Sequence, residues 1–207
     1  MHSPSSSPAN SYHHGDLRNA LLEAGEQLLV ERGAAALSLR EVAKLAGVSH
    51  AAPYRHFRNR AALLQALAES GFERLRAVIR AAAARIAHDP ELKLVEAGVA
   101  YVQLVVSNPA LIQLMFAAGP GQPGDRPPRQ AVLPVIALLV AIVKSGIDTG
   151  VFRDREPREL ALVAWTSMHG LALLLATGQV QVNVTDKAAL DKLVRSVAQN
   201  VIYGISR

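Results

Sequence analysis

The sequence predicts an all-α protein of about nine helices, and three observations predict it. Only 4% of the 207 residues are aromatic, while alanine and leucine abound. Signals for β-hairpins are nearly absent. Apolar residues instead recur three and four positions apart, the period of a helix with one face turned to a core. Half of the residues are hydrophobic, which is ample for a full core and for two domains. The chain divides into a disordered tail over 1–14, a three-helix unit over 15–60, and a larger helical bundle over 61–207. It contains no cysteine, so there is no disulfide, no thiolate nucleophile and no cysteine-ligated zinc. A formal charge of +5 suits an anionic partner, nucleic acid or membrane surface alike.

The tail, MHSPSSSPANSYHH, is rich in Ser and Pro and has no apolar stretch, so it does not read as a secretory signal. His2, His13 and His14 are incidental there rather than metal ligands. Asp16 opens a first helix through about Arg32, with Leu17, Ala20, Leu21, Ala24, Leu28 and Leu29 on its apolar stripe. Gly33 closes it.

Ser38 to Arg60, SLREVAKLAGVSHAAPYRHFRNR, reads as two short helices and a tight turn. Ser38 and Glu41 form a capping box, hydroxyl and carboxylate each satisfying a free backbone donor. Leu39, Val42, Ala43 and Ala46 share one face. Gly47 ends this helix in a left-handed conformation, and Val48 follows as an apolar plug. Ser49 then caps a second helix from His50 to about Phe57. This is the spacing of a helix-turn-helix, whose second helix enters the major groove of DNA. Arg40, Lys44, Arg55, Arg58 and Arg60 crowd the stretch against the single acid Glu41, so one edge attracts phosphate. Ser49, His50, Tyr54, Arg55 and His56 add hydrogen-bonding side chains.

From Gly15 to Leu64 the wording resembles the N-terminal domain of TetR-family transcriptional regulators, without a gap. The resemblance rests on the first-helix repeat ending in Arg32-Gly33, the LREVAKLAGVS turn, the Tyr54-Arg55-His56-Phe57 ending and the basic Arg60. Pro53 departs from the pattern, standing where an aliphatic residue usually packs the recognition helix. Ala61 stands where an acid often follows.

In the body, Asn59 caps a long helix from Arg60 towards Ala87, with Leu63, Leu64, Leu67, Phe72, Leu75, Val78, Ile79 and Ile86 inward. Helices over about Pro90–Ser107 and from Asn108-Pro109 through Phe116 follow. AAGPGQPGDRPPRQ is a loop with no periodicity. About Arg129 to Asp148 is apolar almost all round, too short for a bilayer, and reads as a helix enclosed in the bundle, with Pro134 in its first turn or at a kink. The last helices run over about Pro157–Thr177 and Thr185–Tyr203. The former is apolar on more faces than one partner covers, which points to pairing with a second copy across a two-fold axis, the plainer alternative being burial in the chain's own core. The TetR resemblance likewise implies a homodimer through the last two helices.

Trp165-Thr166-Ser167-Met168-His169-Gly170-Leu171 resembles the W…HG signature of one TetR C-terminal subfamily. Trp165 and His169 share a helix face. With Tyr101, Met115, Phe116 and Met168 they are candidates to line a ligand pocket; their ordinary alternative is core packing.

No GxSxG, HExxH, phosphate-cradling glycine loop or cofactor fingerprint occurs, so neither an enzyme nor a cofactor or metal is expected. The expected function is a cytoplasmic, ligand-responsive regulator binding double-stranded DNA. A homodimer places two recognition helices in successive major grooves about 34–36 Å apart, on a near-palindromic operator. Ser49, His50, Ala52, Tyr54 and Arg55 would touch bases or flanking phosphates, and Arg40, Lys44, His56 and Arg60 the backbone. The resemblance implies a repressor released by an effector, which the apolar body makes small and apolar. The alternative is a helical binding protein or enzyme acting through the C-terminal cavity, with non-specific DNA binding.

Overall fold

Side-chain caps and breaks set most helix ends. The computed structural model describes residues 14–116 and 130–206. The expected tail therefore lies outside the described residues except for His14, and the Gly/Pro loop except for Gln130. Eight α-helices are present among the described residues: α1 His14–Arg32, α2 Leu39–Leu45, α3 Arg60–Ala84, α4 Pro90–Ser107, α5 Pro109–Phe116, α6 Leu133–Asp148, α7 Pro157–Ala176 and α8 Lys187–Ile205. No strand occurs among the described residues beyond an isolated bridge between Phe152 and Ser206. The all-α class and the order of elements are as the sequence predicts.

The missing ninth helix is the second of the helix-turn-helix. An α-helix was expected over His50–Phe57; turns surround a single 3-10 turn, Pro53–Arg55. Pro53 accounts for the difference, because it has no N–H to give the Ser49 carbonyl and its ring crowds that carbonyl. Ala52 N–H bonds Ser49 O instead (2.9 Å), and Arg55 N–H bonds Ala52 O (3.2 Å), both three residues back.

The chain forms two compact units that divide between Ala66 and Leu67, within α3. In the first, α1 packs on α2, and the core holds Leu21, Leu28, Leu29, Leu37, Val42, Phe57 and Leu63. In the second, α4 touches α5, α6, α7 and α8. Asp89 caps α4 by accepting from Leu92 N–H (2.9 Å), with Pro90 in the first turn. Asp186 does the same for α8, accepting from the N–H groups of Ala188 and Ala189. The end of α8 is tied down by Arg153, whose N–H bonds Ile205 O and whose Nε bonds Ser206 O.

One packing expectation fails. Helix α6 buries a single stripe, Val135, Leu139, Ile142, Val143 and Gly146, whereas Ile136, Leu138 and Val140 are half-buried and Leu133 is exposed. A continuous apolar run does not reveal how many faces its neighbours cover, and here α4 and α7 cover one side.

Gly146 admits the fully buried Phe152 ring, which a Cβ at that position would overlap. Gly146→Ala is therefore expected to cost about 1–3 kcal/mol through overpacking, measured as a lower midpoint in urea. An unchanged midpoint would show that the ring shifts freely.

Candidate functional site

The first candidate site is the exposed edge of the first unit. Ser38 Oγ accepts from Glu41 N–H (3.2 Å), half of the expected capping box. The Glu41 carboxylate is engaged instead by Arg32 (3.4 Å), an exposed pair that contributes little stability. At the other end Gly47 has φ +68°. Gly47 N–H bonds Lys44 O and Val48 N–H bonds Ala43 O, the paired bonds of a left-handed helix stop. Ala43 is fully buried, which allows the close approach the turn needs.

This frame sorts the predicted DNA-contacting residues. Arg40, Lys44, Ser49, His50, Tyr54 and Arg55 are exposed, as is Arg58, and Ala52 is half-buried. Pro53 is buried, filling the slot where an aliphatic side chain was expected. Two residues stand apart. Arg60 donates from Nε to Leu37 O (2.9 Å) and from a terminal nitrogen to Ala34 O (2.6 Å), so its charge pins the α1–α2 connection to the start of α3. His56 has Nε2 buried with no hydrogen-bond partner among the described residues, so that nitrogen is not on the exposed edge. Sequence reasoning missed Arg18, whose guanidinium lies 5.8 Å from the Phe57 ring centre; a cation on the opposite helix carries no local signal for that stacking.

The second candidate site lies within the second unit. A cavity of ≈30 Å³ is walled by Ile79 of α3, Leu94, Ala97, Gly98 and Tyr101 of α4, Val135 and Leu139 of α6, and Ala164, Trp165 and Met168 of α7. It has room for a water molecule, but its walls are almost wholly apolar. Of the six residues predicted to line a pocket, Tyr101, Trp165 and Met168 do so. Met115, Phe116 and His169 are not among the lining residues. His169 shares a hydrogen bond between Nδ1 and the Tyr101 hydroxyl, and Phe116 packs its ring on His169 (4.7 Å between centres) and edge-on to Trp165 (6.3 Å). Met115 is buried where a Cβ at Gly71 would strike it. The lining residue with the clearest overlooked signal is Gly98: a glycine inside an apolar helix marks close approach, and a Cβ there would lie 3.1 Å from Met168.

Burial raises the Tyr101 hydroxyl well above its ordinary pKa, against a hydrogen bond from Trp165. Burial also holds His169 below its ordinary 6.5. Both groups are thus neutral at pH 7, with the tyrosine hydroxyl donating to an unprotonated Nδ1.

Residues 21–67 match the profile described as bacterial regulatory proteins, tetR family, and residues 94–197 match a tetracyclin repressor-like C-terminal domain. An uncharacterised HTH-type transcriptional regulator of Mycobacterium tuberculosis is 31% identical over 139 residues, 67% of each chain. The HTH-type transcriptional regulator TtgR of Pseudomonas putida is 44% identical over 55 residues, 27% of this chain and only 26% of that relative's length. A solved protein of unknown function from Rhodococcus sp. RHA1 superposes with a TM-score of 0.81 at 35% identity, covering 96% of this chain and all of the other. The regulator FadR of Bacillus subtilis, solved with stearoyl-CoA, shares the fold at a TM-score of 0.73 and 17% identity, over 91% of this chain and 99% of that one. The chain belongs to the TetR family of helix-turn-helix transcriptional regulators.

Because His169 sits below 6.5 in the folded protein, the unfolded chain binds more protons just below pH 6.5. Its contribution to stability is present above that pH and is lost as pH falls through the window. Between about pH 7.5 and about pH 5.5 the melting midpoint should drop further for the native protein than for His169→Gln. Equal drops would show that another group governs the acid limb.

Proposed function

We propose that this regulator is a cytoplasmic repressor that binds a near-palindromic operator as a homodimer and releases it on binding a small, apolar effector. The observation that carries the DNA-reading part is that Arg40, Lys44, Arg55 and Arg58 are all exposed on and just after a helix-turn-helix frame. Cations there position the phosphate backbone, and Tyr54, Arg55, Ser49, His50 and Ala52 supply the base-reading side. Arg60 holds the frame from behind, and the buried Nε2 of His56 does not add to the exposed edge.

The dimer reading is supported by α7. Leu162, Val163, Leu173 and Leu174 are exposed along one side of it, and Tyr203 is exposed on α8. By length and composition α7 could cross a membrane, and a third of its most apolar stretch is buried. Its packing on α4, α6 and α8 favours a bundle helix whose bare side meets the same helix of a second copy. The effector reading is supported by the apolar cavity and by FadR, whose fold holds an acyl-CoA. An effector regulates only by favouring one arrangement of the two readers over another.

Selection of bound sequences from a random duplex library, followed by gel shift, tests the reading. A palindrome with half-sites about one helical turn apart is expected; no enrichment over non-specific binding would sink it and leave a helical binding module whose affinity for DNA is only electrostatic. Tyr54→Ala with Arg55→Ala should abolish operator selectivity while the dimer stays folded, as read by gel shift and circular dichroism. Affinity should fall steeply with added salt, as phosphate contacts require. Leu162→Glu with Leu174→Glu should give a monomer in sedimentation that binds the operator at least about tenfold more weakly.

A further inference from the structure

The cavity in the second unit has no Asp, Glu, Lys or Arg on its walls among the described residues. Among the charges that α4 and α8 carry nearby in sequence, Arg195 bonds Glu96 (2.5 Å) and Asp191 (2.7 Å), and Lys93 bonds the Ala87 carbonyl (3.0 Å). The polar side-chain atoms on the walls belong to Tyr101 and Trp165, and the Tyr101 hydroxyl is already shared with Trp165 and His169. A smaller apolar cavity of ≈10 Å³ lies between α4, α7 and α8, walled by Leu94, Ala164, Met168, Ala198, Val201 and Ile202. Leu94, Ala164 and Met168 belong to both cavities. Of these three, only Met168 has a long unbranched side chain, able to change rotamer at little cost and open one space into the other. Gly98 leaves room for it: no side chain of α4 stands where Met168 approaches.

We propose that the effector is an elongated, uncharged molecule whose apolar body widens and joins the two small cavities past a displaced Met168, with one neutral hydroxyl group at Tyr101. This rests on the reading of the second unit as an effector-binding body. A carboxylate or ammonium entering this space loses its hydration and meets no opposite charge, and that penalty excludes it. A neutral hydroxyl donates to the Tyr101 oxygen and leaves its bond to His169 in place, so the buried polar groups stay satisfied. Helix α8 becomes part of the site, since Ala198, Val201 and Ile202 wall the far end. Met168 sets how long an effector the site accepts.

Trp165 is the only tryptophan in the chain and lines the cavity, so its fluorescence reports occupancy without DNA. The test is a titration of the full-length protein with 1-octanol, octanoate and octylammonium at near-neutral pH. The alcohol should produce a saturable change, with both ions at least about 100-fold weaker. Tyr101→Phe should weaken the alcohol about tenfold. Met168→Ala should shift preference several-fold, about two- to fivefold, from 1-octanol towards 1-decanol. Either ion binding within about threefold of the alcohol would overturn the proposal, as would the absence of a saturable response to the alcohol. A gel shift on the selected operator then separates the two readings. If the alcohol fills the cavity but leaves DNA bound, release by effector fails while the ligand class stands. If octanoate alone binds and releases DNA, the regulator stands and the neutral-ligand inference fails.

Discussion

The hydrogen bond between Tyr101 and His169 governs how the second unit is assembled. Helix α4 is buried on almost every side, and its buried residues are apolar except for Tyr101. A buried hydroxyl without a partner costs more than a buried methyl of the same size. The partner lies on α7, so the register of α7 against α4 is set by bringing His169 opposite Tyr101. Once that register is set, Trp165 falls one turn earlier on the same face and Met168 falls against Gly98. The cavity walls follow from this one satisfied polar group, and so does the placing of Phe116, which packs on both rings of the α7 pair.

The first unit depends on a different constraint, the placing of backbone groups rather than side chains. Gly47 stops α2, and Arg60 holds the carbonyls of Ala34 and Leu37. Both fix the path of the chain into and out of the α2 turn. Pro53 then trades helical hydrogen bonds for a tighter 3-10 turn. A 3-10 turn rises further per residue and aligns side chains every third position, so Tyr54 and Arg55 leave the frame in directions that a regular helix would not give.

Most of the fold was legible because its signals are local. Asp89 with Pro90 marks the start of α4, Asn108-Pro109 marks the break before α5, and Gly47 marks the stop of α2. Each is a cap or a break that needs only a few neighbours to act. The failures are the reverse. Arg60 reads as one more surface cation until two carbonyls more than twenty residues earlier in the chain come within its reach. An apolar run such as α6 shows that burial is available without showing which faces receive it. The candidate cavity was half legible: Trp165, Met168 and Tyr101 could be picked as large side chains on apolar helices, but Leu94, Ala97 and Ile79 look like every other core residue.

The same physical rule links the two sites. On the first unit exposed cations remain hydrated, and their charge is useful because a phosphate can approach without either group being stripped of water. In the second unit the protein has removed charge from the walls and kept its polar groups paired. On the proposed readings the two surfaces discriminate on opposite terms: one recruits a polyanion through exposed charge, and the other selects against charge altogether. An anionic molecule free in solution gains little from the cavity, and a neutral one gains little from the basic edge. Separation of ligand classes by charge lets a DNA-binding surface and an apolar cavity coexist in one chain without competing for the same molecules.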